Sequence, residues 1–245
     1  MQSKPQIEKH RINKQTLWSI VMILVAIPLT ILFGMTFLSN LQYYFISLMI
    51  IIYTMIPFFM QFESRKPQAR ELIIIAVLTA IAVASRAAFY MVPQFKPVVA
   101  IIIITGVSFG AQAGFLTGAM TGFVSNFFFG QGPWTPWQMF CFGIIGFIAG
   151  LLFSRGILKK RRLSLCIYGG LSTFFIYGGL INLSNLSFFT SEITWGGILA
   201  TYVSAFWFDA VHSLATVFFL FVFSIPFIEK LDRVKQKYGL MDTQI

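Results

Sequence analysis

The chain has 245 residues, 57% hydrophobic and only 11% charged, with a mean hydropathy of +0.80. Soluble domains average about 25% charged residues, so a water-soluble globular fold is excluded and long apolar runs place the chain in a bilayer. The formal net charge of +10 has no nucleic-acid signal beside it, and its distribution along the chain is read below as membrane topology.

In chain order, the apolar runs predict helices over 17–39, 41–62, 71–91, 98–110, 111–128, 137–153, 163–182 and 196–228. The first run is long enough to span, and no small-residue cleavage site follows it, so it is expected to remain as a membrane helix. The run 98–110 falls short of the roughly 20 residues a span requires. It is expected to be little tilted, shielded by its neighbours or incomplete. No linker-like stretch divides the chain.

The 18 Lys and Arg orient these segments. Lys4, Lys9, Arg11 and Lys14 precede the first; Arg65, Lys66 and Arg70 lie between the second and third. Arg155, Lys159, Lys160, Arg161 and Arg162 follow the run 137–153, and Lys230, Arg233, Lys235 and Lys237 follow the last. If every segment spans, all of these share one side, and the other holds only Arg86 and Lys96. The positive-inside rule makes the basic side cytoplasmic, with both termini there. The connections 93–97, 130–138 and 182–195 then face outward. The last carries two N-x-S triplets, at Asn182 and Asn185, for which chance is the better explanation.

The connection Gly130-Gln131-Gly132-Pro133-Trp134-Thr135-Pro136-Trp137-Gln138 packs two prolines and two tryptophans into nine residues. The prolines fix their own backbone and restrict the residues before them. Such a loop loses less entropy on closing over a ligand. Trp134 and Trp137 offer flat stacking faces with one N–H donor each. A ligand-gating lid and an anchor at the membrane boundary both fit.

Two ladders of small residues repeat every fourth position. Gly106, Gly110, Gly114, Gly118 and Gly122 permit close backbone approach; a turn near Gly110 is expected to break the ridge, and packing inside the protein is the favoured reading. Ala76, Ala80, Ala84 and Ala88 form the second, which suits internal packing or a partner helix equally. Arg86, about one turn from the outer end of that helix, either snorkels outward or pairs in a cavity.

The P-loop and H-E-x-x-H patterns are absent. The two histidines, His10 and His212, are far apart, and Cys141 and Cys166 match no metal or redox spacing. No catalytic residue, cofactor or metal site is expected. Asp209 and His212 form an intramembrane polar pair at i and i+3 in the last helix. Such residues are costly in lipid and face a cavity or a partner; a functional pair and a helix-packing pair are equally open.

Four stretches in this order resemble the substrate-binding S components of energy-coupling factor (ECF) transporters: the alanine ladder 71–89, the glycine-rich region 93–126, the loop 130–140, and FDAVHSLAT at 208–216. The likeness covers residues 68–228. It implies an all-α membrane fold with a six-helix core over 67–228. Two extra transmembrane helices precede it in 1–66, and a basic tail occupies 229–245. The chain departs from the family pattern in that extra pair and in having Ala111 where a proline is frequent. The resemblance further implies capture of a scarce water-soluble vitamin from outside and delivery by toppling on a membrane coupling protein. Two ABC ATPases power the cycle, in a prokaryotic cell membrane, and the S component is itself no enzyme. Ala76, Ala80 and Ala84 would be the docking face. The loop leans toward the cobalamin-type members, with riboflavin, pantothenate and queuosine precursors as alternatives. Asn126, Gln131, Trp134, Trp137, Gln138, Asn182, Asn185 and Trp195 are the candidate ligand contacts, with Arg86 and Lys96 as cations. A stand-alone proton-coupled transporter using Asp209 and His212, and a non-transporting scaffold or intramembrane enzyme, are the competing readings.

Overall fold

A computed structural model of the chain describes residues 14–37, 49, 52–53, 69–132, 134–189 and 194–240. Among these residues it is helical, with no strand. Helix α1 runs through Lys14–Val21, a widened π segment Met22–Ala26, and Ile27–Phe37. The second predicted segment, 41–62, lies outside the described residues apart from 49, 52 and 53. The helices that follow are α2 (Ala69–Ala88), α3 (Val98–Phe109), α4 (Ala111–Phe129) and α5 (Thr135–Ser154). Next, α6 comprises Arg162–Leu171, a π segment Ser172–Gly178 and Gly179–Phe189; α7 is Trp195–Tyr238. Among the described residues, four stretches are long and apolar enough to cross a membrane: Ala69–Ala88, Thr135–Ser154, Arg162–Leu186 and Trp195–Tyr238. Large apolar side chains such as Ile73, Phe175, Val203 and Trp207 lie exposed on them, an outer surface suited to lipid rather than water.

The short run resolves as α3, all 12 residues of which are buried. At 1.5 Å per residue it is about 18 Å long, well short of a span. It forms the centre of the main core, packed among side chains of α2, α5, α6 and α7. Gly110 ends it at φ +93°, a conformation that disfavours any side chain, and α4 begins at the next residue. The expected break in the glycine ladder is therefore real.

That ladder is internal. A Cβ at Gly114 would press on the Gly146 carbonyl and lie 2.8 Å from the Gly106 Cα. One at Gly118 would meet the backbone of Phe142 and Gly143. Gly146 and Gly150 on α5 return the contact against Gly114 and Ala111. Small residues on both helices let the backbones touch. The alanine ladder has the opposite fate. Helix α2 buries Ile75, Leu78, Thr79, Ala82 and Val83, whereas Ala76, Ala80, Ala84 and Ala88 lie exposed among the described residues.

A second core joins Ile27 and Ile31 of α1 to Phe115, Trp137, Met139 and Phe147 on α4 and α5. Both cysteines are buried. Two boundaries differ from expectation. Helix α6 runs on to Phe189, so most of the connection expected at 182–195 is helical, and the N-x-S triplets start inside a helix. Helix α7 has 44 residues and carries Lys230, Arg233, Lys235 and Lys237 as a continuation of the same helix, capped by Gly239 at φ +58°. Apolar residues persist through Leu231, which is buried, so the helix continues into the basic stretch as far as Tyr238.

Candidate ligand site

One polar network joins five helices at a single end of the bundle. It starts at Arg86 in the last turn of α2. Its Nη1 donates to the Ser125 hydroxyl (2.5 Å) and to Asn126 Oδ1 (2.9 Å) on α4. The guanidinium also sits 4.8 Å from the centre of the Phe129 ring, a cation–π contact. The sequence left Arg86 a choice between snorkelling and pairing, and it pairs.

Asn126, buried, spends its amide on α5: Nδ2 donates to Gln138 Oε1 (2.8 Å) and to the Thr135 hydroxyl (3.2 Å). Gln138 Nε2 in turn donates to the Tyr177 hydroxyl on α6 (3.2 Å). Tyr177 stacks on Phe142, ring centres 5.0 Å apart, and meets the His212 ring of α7 edge-on at 4.8 Å. Buried polar groups need partners, and here each partner belongs to a different helix. Tyr177 and Gly178 lie in the π segment of α6. An extra residue in the turn re-aims the side chains that follow, and π segments recur at functional sites.

A second limb lies beside it. Asn182 Nδ2 donates to Asp209 Oδ2 at 2.7 Å. Gly178 is pressed against that carboxylate; a Cβ there would be 2.7 Å from Asp209 Cγ. The expected Asp209–His212 pair is therefore not a bonded pair: Asp209 turns to α6, and His212, 5% exposed, turns its ring to Tyr177. The i, i+3 spacing puts both on one side of α7 but not on one partner.

The tryptophan-rich loop is tied down. Gly130 leaves α4 at φ +97°. Gln131 Nε2 donates to the Phe123 carbonyl (3.1 Å), and its Oε1 accepts from the Thr135 hydroxyl (2.9 Å). The Gly132 N–H donates back to that hydroxyl (3.2 Å), and the Thr135 N–H donates to the Gly132 carbonyl (2.9 Å). Pro133 lies outside the described residues. The two indoles separate. Trp137 is 8% exposed and packs in the second core near α1, while Trp134 is 36% exposed with its ring laid over Gly132.

Lys96, in the connection between α2 and α3, is half-buried. Its burial and the nearby Arg86 charge lower its pKa from the ordinary lysine value. Both cations fall within electrostatic reach of His212. Of the residues named from the sequence, the structure thus gathers Arg86, Asn126, Gln131 and Gln138, leaves Lys96 within electrostatic reach of Arg86, and joins Asn182 to Asp209. Asn185 is partly exposed and outside the network; Trp195 is 86% exposed at the start of α7. Ser125, Phe129, Thr135 and Tyr177 were not foreseen. The Ser-Asn doublet ending an apolar helix and the Tyr-Gly-Gly of α6 were the available signals. Among the described residues no three His, Cys, Asp or Glu side chains gather to hold a metal ion.

Residues 66–231 match the family model described as ECF-type riboflavin transporter, S component. A UPF0397 protein of Aliivibrio salmonicida (strain LFI1238) is 30% identical over 123 residues, 48% of this chain and 64% of that protein. The chain thus spans less than two thirds of that relative's length. No solved structure matches. The family match does not single out cobalamin-type members. It covers more than half of the chain, in a helical protein with several membrane-crossing helices, and the chain therefore belongs to the ECF-type riboflavin transporter S-component family.

Proposed function

We propose that this protein is the substrate-capturing subunit of an ECF vitamin importer in a prokaryotic cell membrane. The observation that carries the reading is the network from Arg86 through Asn126 and Gln138 to Tyr177, which draws side chains from α2, α4, α5 and α6 to one end of the bundle. The charge pattern assigns that end to the outside and both termini to the cytoplasm. Helices α2–α7 are the six-helix core, and α1 with the segment 41–62 is the extra pair. Riboflavin is the first vitamin to test, because the family is named for it. The stacked Phe142–Tyr177 rings with His212 edge-on suit a flat heterocycle. Cobalamin, favoured by the tryptophan loop, and pantothenate or a queuosine precursor complete the set.

The energy comes from partners: a membrane coupling protein and two ABC ATPases. The exposed ladder Ala76, Ala80 and Ala84 on α2 is the docking face, since a surface of methyl groups engages and releases a helix without disentangling long side chains. Calorimetric titration of the purified protein with riboflavin, cobalamin, cobinamide and pantothenate tests capture. Cellular uptake with and without the ATPase subunits tests the coupling. Saturable one-to-one binding and ATPase-dependent uptake are expected; uptake that persists without the ATPases refutes the reading in favour of a stand-alone transporter.

A further inference from the structure

Among the described residues, no ion pair balances the positive charge of the ligand site. Arg86 is permanently ionised, and its partners, the Ser125 hydroxyl, the Asn126 amide oxygen and the Phe129 ring, are all uncharged. A guanidinium has five N–H donors in a planar fork. Nη1 is spent on Ser125 and Asn126, whereas Nη2 and Nε make no hydrogen bond among the described residues. Lys96 stands close enough to feel that charge, and like charges in a partly desolvated place repel. The nearby carboxylate, Asp209, is engaged by Asn182 on the other limb. An ion pair joins Lys160 and Asp232, toward the opposite end of α7. A partly buried cation without a counter-charge carries a desolvation cost, and one held with an open donor edge is pre-organised for an anion.

We infer that the site takes an anionic ligand, a vitamin or vitamin derivative bearing a carboxylate or a phosphate, with the anion seated on the Nη2–Nε edge of Arg86 and Lys96 as the second charge. This rests on the reading of the chain as a vitamin-capturing subunit. That family name suggests a ring system; the electrostatics of this site add the charge. His212, within electrostatic reach of both cations, lies beside Tyr177, and the uncharged body of the ligand would rest toward these rings.

Matched pairs isolate the charge: riboflavin against riboflavin 5′-phosphate, and pantothenol against pantothenate. In titrations of the purified protein, the charged member of at least one pair is expected to bind about tenfold or more tightly, as a charge-assisted pair of bonds provides. That preference should shrink as salt rises. Lys96→Gln, on a connection rather than in the packed helices, and Arg86→Gln should each reduce the preference; the lysine variant decides if the arginine variant fails to fold. Equal affinity within both pairs, or a preference untouched in Lys96→Gln, overturns the inference while leaving vitamin capture standing. No binding by any member overturns the inference, and vitamin capture falls with it only if the cobalamin and cobinamide titrations are also blank. Repeating the titrations in phosphatidylcholine and phosphatidylglycerol nanodiscs separates a soluble anion from a lipid headgroup. Retained preference in both lipids supports the inference. Its abolition by phosphatidylglycerol assigns the cations to lipid and overturns it.

Discussion

Gly114→Ala and Ala80→Phe put the two small-residue ladders to opposite tests. At Gly114 the added methyl would lie 2.7 Å from the Gly146 carbonyl carbon and 2.8 Å from the Gly106 Cα. Every obstacle is backbone, so no rotamer change relieves it, and α4 must move from α5 by roughly 1 Å and from α3 by about 0.6 Å to restore ordinary contact. Overpacking typically costs about 1–3 kcal/mol, and a clash with backbone on two helices belongs at the top of that range. At about 2–4 °C per kcal/mol for a chain of this size, Gly114→Ala should lower the melting temperature in detergent by about 6–12 °C. Ala80 is exposed, so Ala80→Phe should hold stability within about 0.5 kcal/mol and keep ligand affinity, yet lose capture of the coupling protein and uptake. The measurements are thermal unfolding by intrinsic fluorescence, ligand titration, and co-purification with the coupling protein and ATPases. If Gly114→Ala melts within about 1 °C of the parent, the close approach of α4 and α5 is wrong. If Ala80→Phe loses stability and ligand binding together, its face is internal packing and the docking assignment falls.

Three further substitutions have definite expected outcomes. Trp137→Ala should cost about 3–5 kcal/mol, since it empties a core position that joins α1 to α5; Trp134→Ala should spare the melting temperature and weaken ligand affinity, and a titration unchanged by it would leave the indole a membrane-boundary anchor only. Because the folded-state pKa of Lys96 is lowered, its charge is a penalty fully present at neutral pH and relieved as pH climbs through that lowered value toward the ordinary lysine pKa of about 10.4. Lys96→Gln should therefore melt slightly higher than the parent at pH 7 without ligand, with the gap closing in alkali, and a lower melting point at pH 7 would contradict the proposed repulsion with Arg86.

The helices were legible because a bilayer demands long apolar runs, and even the deficient run 98–110 announced its burial: a segment too short to span must be covered, and α3 is covered on every residue. The site was half legible. Arg86, Asn126, Gln131 and Gln138 stand out as polar residues in greasy surroundings, and the structure brings them together. Tyr177 was hidden because an aromatic residue in an apolar run looks like filler. Its role depends on a π turn that 3.6-residue periodicity does not register. Asp209 and His212 misled for a related reason. Spacing on one helix sets which side a residue faces, whereas the partner is set by the neighbouring helix, here Asn182 for one and Tyr177 for the other.

The two ladders sharpen this point, because their spacing is identical and their fates are opposite. What separates them is the presence of a complement elsewhere in the chain. The glycines of α3 and α4 face Gly143, Gly146 and Gly150 on α5, where a flat surface meets another flat surface and the backbones touch. The alanines of α2 alternate with Ile73, Val77 and Ile81, which stay exposed beside them. Among the described residues no helix offers them a matching groove. Within a membrane, small residues gain nothing from avoiding water and associate only through close fit. A ladder matched inside the chain is therefore consumed in folding, and an unmatched one is left for a partner. That asymmetry also fits the division of labour expected of a capturing subunit: a rigid pair, α4 and α5, holds Asn126 and Gln138 in register for the ligand, while the face that must engage and release a partner is borne by α2, whose last turn carries Arg86. If docking on the alanine face and occupancy of the Arg86 site are read by the same helix, the coupling protein should shift the ligand affinity of the parent and leave that of Ala80→Phe at its free value.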